Sequence, residues 1–536
     1  MTPLLPQTLA PVPLPLPAGP LPTAGWMLRE LYRLRVIADP DRDALHFSDL
    51  RISHGELLER LDHWQQRIAK AAERIGCGGP GCAWASYGGD SVDHLVALIS
   101  RFLVERPAML LPLQASAEEL VSFVRRGGVG AVLADRPLPP ELGMERRTQV
   151  EGDWWLWTPP AEAAPPVAEV VMDPDAIAAS ESDPARRARR ILDQVIGISV
   201  SSGTTTGVPS IQRSRAFDSL AMLQHPEWPL SRRMLFSFRM QFGASRSWAL
   251  RILLEGGCLC CVRVEERPQM PELAGLLEAD TMSVNPAYLE EMIGQGLESR
   301  FPAALQFVTG TDRVPVGLRR RFHDRFGERL TIALANSRLG PLTLLPPEQL
   351  LSHDGESVGH PLPNVAFRFD PGVDARWQAE GLGEAVVSKT LRVRLLHPEH
   401  GLIDLERTEA ESRPGDLLRR WPDGLLSFAG RSNDVFLFRS LLVCPHEIEN
   451  VLGDDAAVAE VVAFGAPSSV YGAVPMAALR LRPGVDPDQE LPRLRRHCQE
   501  TIGVRAPKAL IPMEEIPRGP SGKPLRRELA RLHALS

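Results

Sequence analysis

A strand-like run at Val195–Val200 leads into a loop of glycine and hydroxyl residues, which reads SSGTTTG at residues 201–207. Glycine lets a backbone approach a ligand closely, backbone N–H groups bind anions, and hydroxyls add neutral donors, so this composition fits phosphate binding. It is not a P-loop, because in that motif four residues separate two glycines and a lysine directly follows the second glycine. Here three residues separate Gly203 from Gly207, and Val208 follows. Taken alone, a Ser/Thr-rich surface turn explains the loop equally well.

Two further stretches with chemically suggestive residues lie towards the end of the chain. Residues 430–449 read GRSNDVFLFRSLLVCPHEIE, and residues 516–529 read IPRGPSGKPLRREL. Together with the loop, and in this order, they resemble the adenylate-forming superfamily, which includes acyl-CoA synthetases, adenylation domains of peptide synthetases and beetle luciferase. The resemblance covers nearly the whole chain through shorter segments, which read RISHGELLERL, LQFVTGTDRVP, ESVGHPLPNVAFRF, GLGEAVVS, RPGDL and VVAFGAPSSVYGAVPMAALRL. One motif alone would be weak, whereas the ordered set is specific.

The resemblance implies a two-step reaction. A small carboxylic acid attacks the α-phosphate of ATP and forms an acyl-AMP. The acyl group then passes to a thiol, either that of CoA or that of the phosphopantetheine arm on an acyl carrier protein. The implied cofactors are therefore ATP, Mg²⁺ and one of these thiols. Because negative charge builds on the phosphoryl oxygens, hydrogen-bond donors and a cation must be in place beforehand.

Candidate site residues follow from the positions that match the family motifs. Lys523 resembles the lysine that bridges carboxylate and phosphate, Asp416 the acid that grips the ribose hydroxyls, and Arg431 an arginine that contacts the nucleotide. A carboxylate suits the ribose because it accepts from two hydroxyls at once. The alternatives are a solvated lysine, a turn aspartate and a surface ion pair. The loop would cradle the departing phosphates through two catalytic candidates, Thr204 and Thr205, and four cofactor-binding candidates, Ser202, Gly203, Thr206 and Gly207.

The segment LGPLT at residues 339–343 departs from the family pattern. Leu339 stands where the family has a tyrosine that packs on adenine, Gly340 follows it, and Thr343 replaces a glutamate associated with Mg²⁺. Leucine can still cover one face of adenine by apolar contact. Threonine supplies no charge, so the metal would rely on ATP phosphates and water, which Mg²⁺ commonly keeps as ligands.

Four other positions bear on the implied reaction. Ser210 stands where the family loop has a lysine. Arg213 is a possible substitute for that lysine, because guanidinium also binds phosphate. An ordinary surface arginine is nearly as good an explanation of Arg213. Asn433 replaces the hinge aspartate and keeps its turn preference without its charge. Ser440 replaces a glycine near the pantetheine thiol, which makes close backbone approach harder. CoA and a carrier protein are therefore equal candidates for the acceptor.

The elements that must position these residues alternate between helical and strand-like patterns, which favours an α/β fold. Apolar residues at helical spacing predict a helix in HGELLERLDHWQQRIAKAAERI at residues 54–75, and a helix is expected to start near Arg215, after the loop. We expect a Pro-rich lead-in over residues 1–24 and a large N-terminal AMP-binding domain with mixed sheets and helices over residues 25–430. A small, mobile α+β C-terminal domain over residues 431–536 would follow, with rotation at Asn433. Residues 161–190 are polar and rich in Pro and Ala, so we interpret them as a surface connection.

Composition excludes several classes of protein. The chain has 536 residues and a net charge of −7, so a general nucleic-acid binder is not expected. No apolar run reaches about 18 residues, which predicts no membrane span and favours a cytoplasmic enzyme. Seven cysteines are too few for a disulfide scaffold in so long a chain, and the cluster at residues 258–261 fits a buried strand better than a metal site.

The identity of the acid and the existence of activity stay open. The family's acyl pocket would be lined by Phe242 to Ser245 and by Phe307 to Gly310, which suits an aryl acid, but core packing explains these residues at least as well. A second hypothesis is a degenerate homologue that binds nucleotide or a carrier protein without catalysis. A third, an amino-acid adenylation enzyme, is weaker because residues 235–240 contain no aspartate for an α-amino group.

Overall fold

The computed structural model describes most of the chain. The described residues are 12–13, 24–77, 83–89, 91–102, 107–113, 115–161, 183–200, 211–223, 231–236, 243–310, 312–336, 339–353, 356–370, 377, 379, 381–397, 400–518 and 524–534.

Thirteen α-helices form within the described residues. They are α1 (Ala24–Ala38), α2 (His54–Ile75), α3 (Val92–Phe102), α4 (Ala117–Gly127), α5 (Pro184–Leu192), α6 (Ala216–Leu223), α7 (Gly243–Leu254), α8 (Met270–Leu276), α9 (Pro286–Gly294), α10 (Val316–Phe326), α11 (Pro445–Gly453), α12 (Pro487–Ile502) and α13 (Arg526–Leu532).

The described strands number 27. They are β1 (Val12–Pro13), β2 (Asp43–His46), β3 (Arg51–Ser53), β4 (Ala83–Tyr87), β5 (Ala108–Leu110), β6 (Val129–Ala134), β7 (Arg146–Glu151), β8 (Trp154–Thr158), β9 (Val195–Val200), β10 (Ile211–Arg215), β11 (Arg233–Phe236), β12 (Cys258–Cys260), β13 (Thr281–Ser283), β14 (Gln306–Thr309), β15 (Leu330–Asn336), β16 (Gly340–Leu345), β17 (Ser357–Pro361), β18 (Val365–Asp370), β19 (Leu382–His397), β20 (Gly401–Ser412), β21 (Asp416–Arg420), β22 (Leu426–Arg431), β23 (Phe436–Phe438), β24 (Leu441–Val443), β25 (Val458–Ser468), β26 (Gly472–Leu481) and β27 (Ala509–Pro512).

Three sheets organise these strands, which confirms the predicted α/β fold with mixed sheets. In the fifteen-stranded sheet, β2, β12, β11, β13, β14 and β15 run parallel side by side. Helices α9 and α10 connect β13 to β14 and β14 to β15, as parallel neighbours require. The sheet then continues antiparallel through β16, β17, β22, β21 and β19. This antiparallel part carries most of the candidate site.

The second and third sheets are smaller. Seven strands, β10-β9-β5-β4-β6-β8-β7, form the second sheet, and its strand β9 is the one that leads into the glycine-rich loop. All five strands of the third sheet come from residues 436–512, within the predicted C-terminal domain. Its own core includes Phe438, Ile448 and Phe464. The boundaries and the mobility predicted for the two domains stay predictions.

Local sequence signals account for several elements. Helix α2 covers the residues predicted from apolar spacing, and Ser53 and Glu56 close its N-terminus as a reciprocal capping box. Strand β9 and helix α6 lie where the sequence predicted a strand and a following helix. The cysteine cluster forms the buried strand β12, as predicted. These patterns are local, so they need no knowledge of the rest of the fold.

The interpretation of residues 161–190 as a surface connection was wrong at its C-terminal end. Helix α5 begins at Pro184, and the side chain of Asp183 caps it by accepting from the amide of Ala185. Asp followed by Pro is a strong helix start, because the carboxylate accepts an otherwise unpaired N–H and proline is tolerated in the first turn. Ile191 and Leu192 then bury their side chains in the core. Residues 162–182 lie outside the described residues.

Helices in the part of the chain that the structure describes are too short or too polar to cross a membrane.

Candidate functional site

Two of the predicted nucleotide-binding residues meet across a strand pair. Strands β21 and β22 pair in a register that places Asp416 opposite Arg431. The Nε atom of Arg431 lies 3.0 Å from Oδ1 of Asp416, and its Nη1 donates to the carbonyl of Pro414 at 3.2 Å. The side chain of Asp416 is largely buried, whereas that of Arg431 is exposed. The result is an anion and a cation side by side at one strand end, with the cation open to a ligand.

A turn before Asp416 fixes its direction. Gly415 has a φ of +79°, a backbone conformation that side-chain-bearing residues rarely adopt, so glycine suits this position. The amide of Ser432 donates to the carbonyl of Gly415 at 2.9 Å and ties the turn to the chain after β22. Ser432 begins the 3₁₀ turn that contains Asn433, the predicted hinge residue. Asp416, Arg431 and the hinge segment are therefore neighbours in space.

The turn between β15 and β16 carries Leu339 and Gly340. The amide of Leu339 donates to Oδ1 of Asn336 at 3.3 Å, and Gly340 has a φ of +69°. The Leu339 side chain is only 5% exposed and belongs to a buried cluster with Leu342 and Val358. Leu339 therefore packs into the core, and the described residues at this turn, 339–341, leave mainly backbone for a base.

Thr343 lies wholly inside the sheet, which does not favour the nucleotide role predicted for it. Its side chain is 0% exposed. Its hydroxyl donates to the carbonyl of Val358 on β17 and accepts from the amide of Leu334 on β15 at 3.3 Å. A hydroxyl used by two neighbouring strands has no position from which to hold a metal or a phosphate. The described residues at this turn thus supply no carboxylate for Mg²⁺, in keeping with the lost glutamate.

Lys389 is a residue near this turn that sequence reasoning missed. It extends from β19 and donates from Nζ to the carbonyls of Leu339 at 2.8 Å and Pro341 at 2.7 Å. Burial lowers the pKa of Lys389 to about 8, although the carboxylates of Asp218 and Glu409 oppose the shift. A signal was present in the sequence, because the buried face of β19 reads Val387, Lys389, Leu391, Val393 and Leu395 at alternate positions. A lone lysine in an apolar alternation indicates a buried amine with a specific partner.

A buried ionic cluster joins the third sheet's helix α11 to the rest of the molecule. Arg313 contacts Glu356 from Nη2 to Oε1 at 2.8 Å, and its Nη1 lies 3.7 Å from Oε2 of Glu449 on α11. Arg313 also donates to Asn450 on α11. His446 Nε2 lies 3.6 Å from Oε2 of Glu356. Any rotation about the predicted hinge at Asn433 would have to separate these charges.

The charged groups of this cluster shift one another's pKa values. Burial alone would raise the pKa of Glu356, but Arg313 and His446 beside it hold that pKa well below its usual range. Burial lowers the pKa of His446, and the charge of Arg313 lowers it further. Glu449 accepts from Arg526, three residues after Lys523, at 2.5 Å. The cluster therefore reaches the helix that follows the predicted catalytic lysine.

All three predicted catalytic residues, and several predicted cofactor-binding residues, lie outside the described residues. They are Thr204 and Thr205 of the loop, its neighbours Ser202, Gly203, Thr206 and Gly207, and Lys523; Ser210 and Phe242 lie outside as well. Pro524, directly after Lys523, pairs with Arg518 in an isolated β-bridge. Arg213 lies on β10 opposite Ile198, with an exposed side chain. Ser440 has a φ of +64°, a conformation that glycine adopts without strain.

Part of the predicted acyl pocket is core. Phe307 is fully buried and its ring contacts those of Phe301, Phe322 and Phe326 at centroid distances of 5.5 Å in each case. These contacts favour the core-packing interpretation of Phe307 over an acyl-binding one. For this end of the predicted pocket, therefore, the apolar character of the sequence reflects packing within the parallel part of the sheet.

Comparison with known proteins agrees with this architecture. Residues 447–523 match the family model described as the AMP-binding enzyme C-terminal domain. The fold is similar to that of amide bond synthetase McbA from Marinactinospora thermotolerans, with a TM-score of 0.70 and 17% identity over 95% of this chain and 100% of that one. It is equally similar to o-succinylbenzoate CoA synthetase MenE from Bacillus subtilis in complex with its acyl-adenylate, with a TM-score of 0.70 and 18% identity over 93% and 97% of the two chains. The resemblance to the adenylate-forming superfamily is thereby confirmed at the level of the fold.

Curated relatives are named as ligases. A fatty acid–[acyl-carrier-protein] ligase, MmaC of Mycobacterium marinum, is 25% identical over 305 residues, which is 53% of this chain and 56% of the relative. A long-chain-fatty-acid–CoA ligase of Salmonella typhimurium is 28% identical over 204 residues, which is 38% of this chain and 36% of the relative. The chain thus spans about half or less of the length of these relatives.

Proposed function

We propose that this protein activates a carboxylic acid with ATP to an acyl-AMP, releases pyrophosphate, and then transfers the acyl group to a thiol of CoA or of an acyl carrier protein. The observation that carries the proposal is the pairing of Asp416 with Arg431 at 3.0 Å, next to the hinge segment. The sequence motifs predicted the two residues separately as nucleotide ligands, and strands β21 and β22 make them neighbours. A fold shared over more than nine-tenths of the chain with an acyl-adenylate complex adds support.

Each predicted residue has a role in the first step. An oxygen of the carboxylate bonds to the α-phosphorus, the bond to the bridging oxygen breaks, and pyrophosphate leaves with that electron pair. Lys523 would lie between the carboxylate and the phosphate and balance their charge, and the hydroxyls of Thr204 and Thr205 would donate to the departing phosphates. Asp416 would accept from the ribose hydroxyls, and Arg431 would add a positive charge beside them. When bound, Mg²⁺ supplies further neutralisation of the phosphate charge.

The second step needs a thiol acceptor. The sulfur attacks the acyl carbon, the bond from that carbon to the phosphate oxygen breaks, AMP leaves, and the thiol proton passes to solvent. CoA and a carrier protein are both proposed as acceptors. Ser440 keeps a backbone turn with positive φ where the family has glycine, and its small side chain leaves less room for the pantetheine thiol without blocking it. Relatives named for carrier-protein and for CoA ligation support the two equally. A cytoplasmic location stays a prediction.

The acid is proposed as a small carboxylic acid, with an aryl acid as the first class to test. Phe242 is the remaining aromatic candidate for the pocket, since Phe307 is packed in the core. Two proteins of similar fold are named for aryl acids: o-succinylbenzoate CoA synthetase and an anthranilate CoA ligase in complex with anthranoyl-AMP, which has a TM-score of 0.70, 14% identity and coverage of 95% of this chain and 97% of that one.

A degenerate homologue that binds nucleotide or a carrier protein without catalysis is the second candidate. It is favoured by one observation, the burial of Thr343 where the family has a glutamate associated with Mg²⁺. Lys523 speaks for activity instead, because a homologue that only binds nucleotide would keep Asp416 and Arg431 but would not need a lysine between the carboxylate and the phosphate.

Acid-dependent exchange of labelled pyrophosphate into ATP separates the two candidates. The panel should contain aryl, medium-chain and long-chain acids together with amino acids, and a reaction without acid is the blank. We expect exchange with at least one non-amino acid and none in the blank. ATP binding by calorimetry without exchange for any acid, and without acyl-AMP by mass spectrometry, would instead support the degenerate homologue.

A further inference from the structure

The turn at residues 339–341 is held from behind by a buried amine. Nζ of Lys389 donates to the carbonyls of Leu339 and Pro341, which lie on either side of Gly340. A Cβ atom placed on Gly340 would lie 3.8 Å from this Nζ, so the amine also packs against the middle of the turn. The two hydrogen bonds therefore fix the peptide units that follow Leu339 and Pro341, in addition to the contact of Asn336 with the Leu339 amide.

The described residues around Lys389 leave it almost completely buried. It is 3% exposed, and it lines a small cavity together with Arg251 of α7 and Met222 of α6. A cavity of about 10 Å³ has room for about one water molecule. Within the described residues, the contacts through which Lys389 can act on a ligand are those to the turn that it holds.

Burying an amine is costly, and the fold offers a cheaper side chain at this position. Lys389 lies on the buried, apolar face of β19 between Val387 and Leu391. A methionine there would fill similar space, and no charged group would lose its hydration. Lysine is also rare in this chain, since it occurs at four positions only, Lys70, Lys389, Lys508 and Lys523. The carbonyls of Leu339 and Pro341 explain why a lysine is tolerated here, because the two hydrogen bonds that it donates to them compensate for the loss of hydration of its amine.

We propose that Lys389 is a positioning residue for the nucleotide base, which fixes the backbone of the turn at residues 339–341 against which the base lies. The inference rests on the proposed function. At this turn the predicted side-chain contacts are reduced, since Leu339 packs into the core and Thr343 is bonded within the sheet. The backbone that remains must keep its shape without them, and Lys389 supplies the restraint from the opposite side of the turn.

The test compares Lys389→Met, which keeps the volume and removes both donors, with Lys389→Gln, whose amide still donates. Lys70→Met, on the exposed face of α2, is the matched control. We expect Lys389→Met to raise the KM for ATP about tenfold, the effect of losing one or two hydrogen bonds to a positioned backbone, with kcat and the KM for the acid within about twofold. Lys389→Gln should recover part of the loss, and Lys70→Met should match the wild type. Equal changes in both KM values, or an unchanged KM for ATP, would overturn the inference.

A measurement on the unaltered protein covers the case in which Lys389→Met does not fold. Because the chain has four lysines, amine-reactive labelling followed by mass spectrometry reads each of them separately. ATP should slow the labelling of Lys389 relative to that of Lys70, because a bound base holds the turn closed over the amine. Equal labelling of Lys389 with and without ATP, in a protein that binds ATP, would overturn the inference and leave the proposed function intact. A protein that binds no ATP would refute both.

Discussion

The two edges of the candidate nucleotide site are built in different ways. At the end of the pair β21–β22, a buried Asp416 and an exposed Arg431 face each other with charged side chains that match the family motifs. At the turn between β15 and β16, the corresponding side chains are Leu339 and Thr343, which are absorbed by the core and the sheet. Among the residues that the structure describes, the first edge offers charged side chains to a ligand, whereas the second offers backbone groups.

The difference predicts that substitutions at the two edges act in different ways. At the first edge the ligands are the motif residues themselves, so their substitution should weaken ATP directly. At the second edge the proposed support is Lys389, which donates to two carbonyls of the turn at residues 339–341 and is itself 3% exposed. Substitutions there should act through backbone geometry and stability, with smaller effects on ATP.

The largest effect is expected at the first edge. Asp416→Asn should raise the KM for ATP about 10- to 100-fold, because hydrogen bonds to a charged group contribute about 1.5–3 kcal/mol each. The KM for the acid should change little. Steady-state kinetics with ATP and acid varied separately would measure both, with Asp404→Asn on the exposed hairpin strand β20 as the matched control. If both KM values rise equally, or neither does, Asp416 is a turn residue and the comparison fails.

An intermediate effect is expected from the titration of Lys389. Its pKa is about 8 in the folded protein and 10.5 when unperturbed, so the unfolded chain binds more protons between these values. The contribution of Lys389 to the free energy of unfolding should therefore rise with pH across this window, by about 1–3 kcal/mol. Asp218 on α6 and Glu409 on β20 face the amine and limit the shift, and Arg251 on α7 shares its cavity.

Urea unfolding at pH 7.5 and pH 10 would measure this contribution. The difference in unfolding free energy between the wild type and Lys389→Met isolates it, because the other titrating groups are common to both proteins. We expect the difference to move in favour of the wild type at pH 10. A difference that is independent of pH would mean that the amine is not desolvated, and that the turn is not held in the way described.

The smallest effect on the KM for ATP is expected for Thr343→Val. The change removes the hydroxyl that links β16 to β15 and β17, and should cost about 1–3 kcal/mol of stability while the KM for ATP stays within about twofold. Thermal and urea unfolding beside ATP kinetics would show this, with Thr408→Val on the exposed face of β20 as a control. An unchanged free energy of unfolding together with a much higher KM for ATP would support the predicted role of Thr343 in nucleotide binding.

The sequence predicted the residues of the first edge, Asp416 and Arg431, but not the role of Lys389 at the second edge. The reason is distance along the chain. Asp416 and Arg431 lie in short motifs that can be recognised one at a time. Lys389 acts on residues 48 and 50 positions earlier, and no local pattern links a lysine on β19 to a glycine turn before β16. Its place in an apolar alternation is a signal of burial that we missed, and the register of the sheet is needed to reveal its partners.

The same distinction holds for the fold. Helix α2 and strand β9 followed from periodicity and from a short β-type run, both of which are local. Helix α5 was missed because a Pro- and Ala-rich composition was averaged over thirty residues and hid the start signal at Asp183 and Pro184. The sequence left both a pocket and the core open for Phe307, because its neighbours in space, the rings of Phe301, Phe322 and Phe326, lie elsewhere along the chain.

The central claim is that this chain forms an acyl-AMP with Lys523 as the group that joins the carboxylate and the phosphate. The most direct measurement is single-turnover formation of acyl-AMP by the wild type and by Lys523→Ala, with ATP binding measured in parallel by calorimetry. We expect acyl-AMP from the wild type, a loss of at least about 100-fold in Lys523→Ala because a charge placed for the transition state is removed, and ATP binding within a few-fold of the wild type. Equal yields of acyl-AMP from the two proteins would contradict the role of Lys523, and no acyl-AMP from the wild type with any acid would contradict the account as a whole.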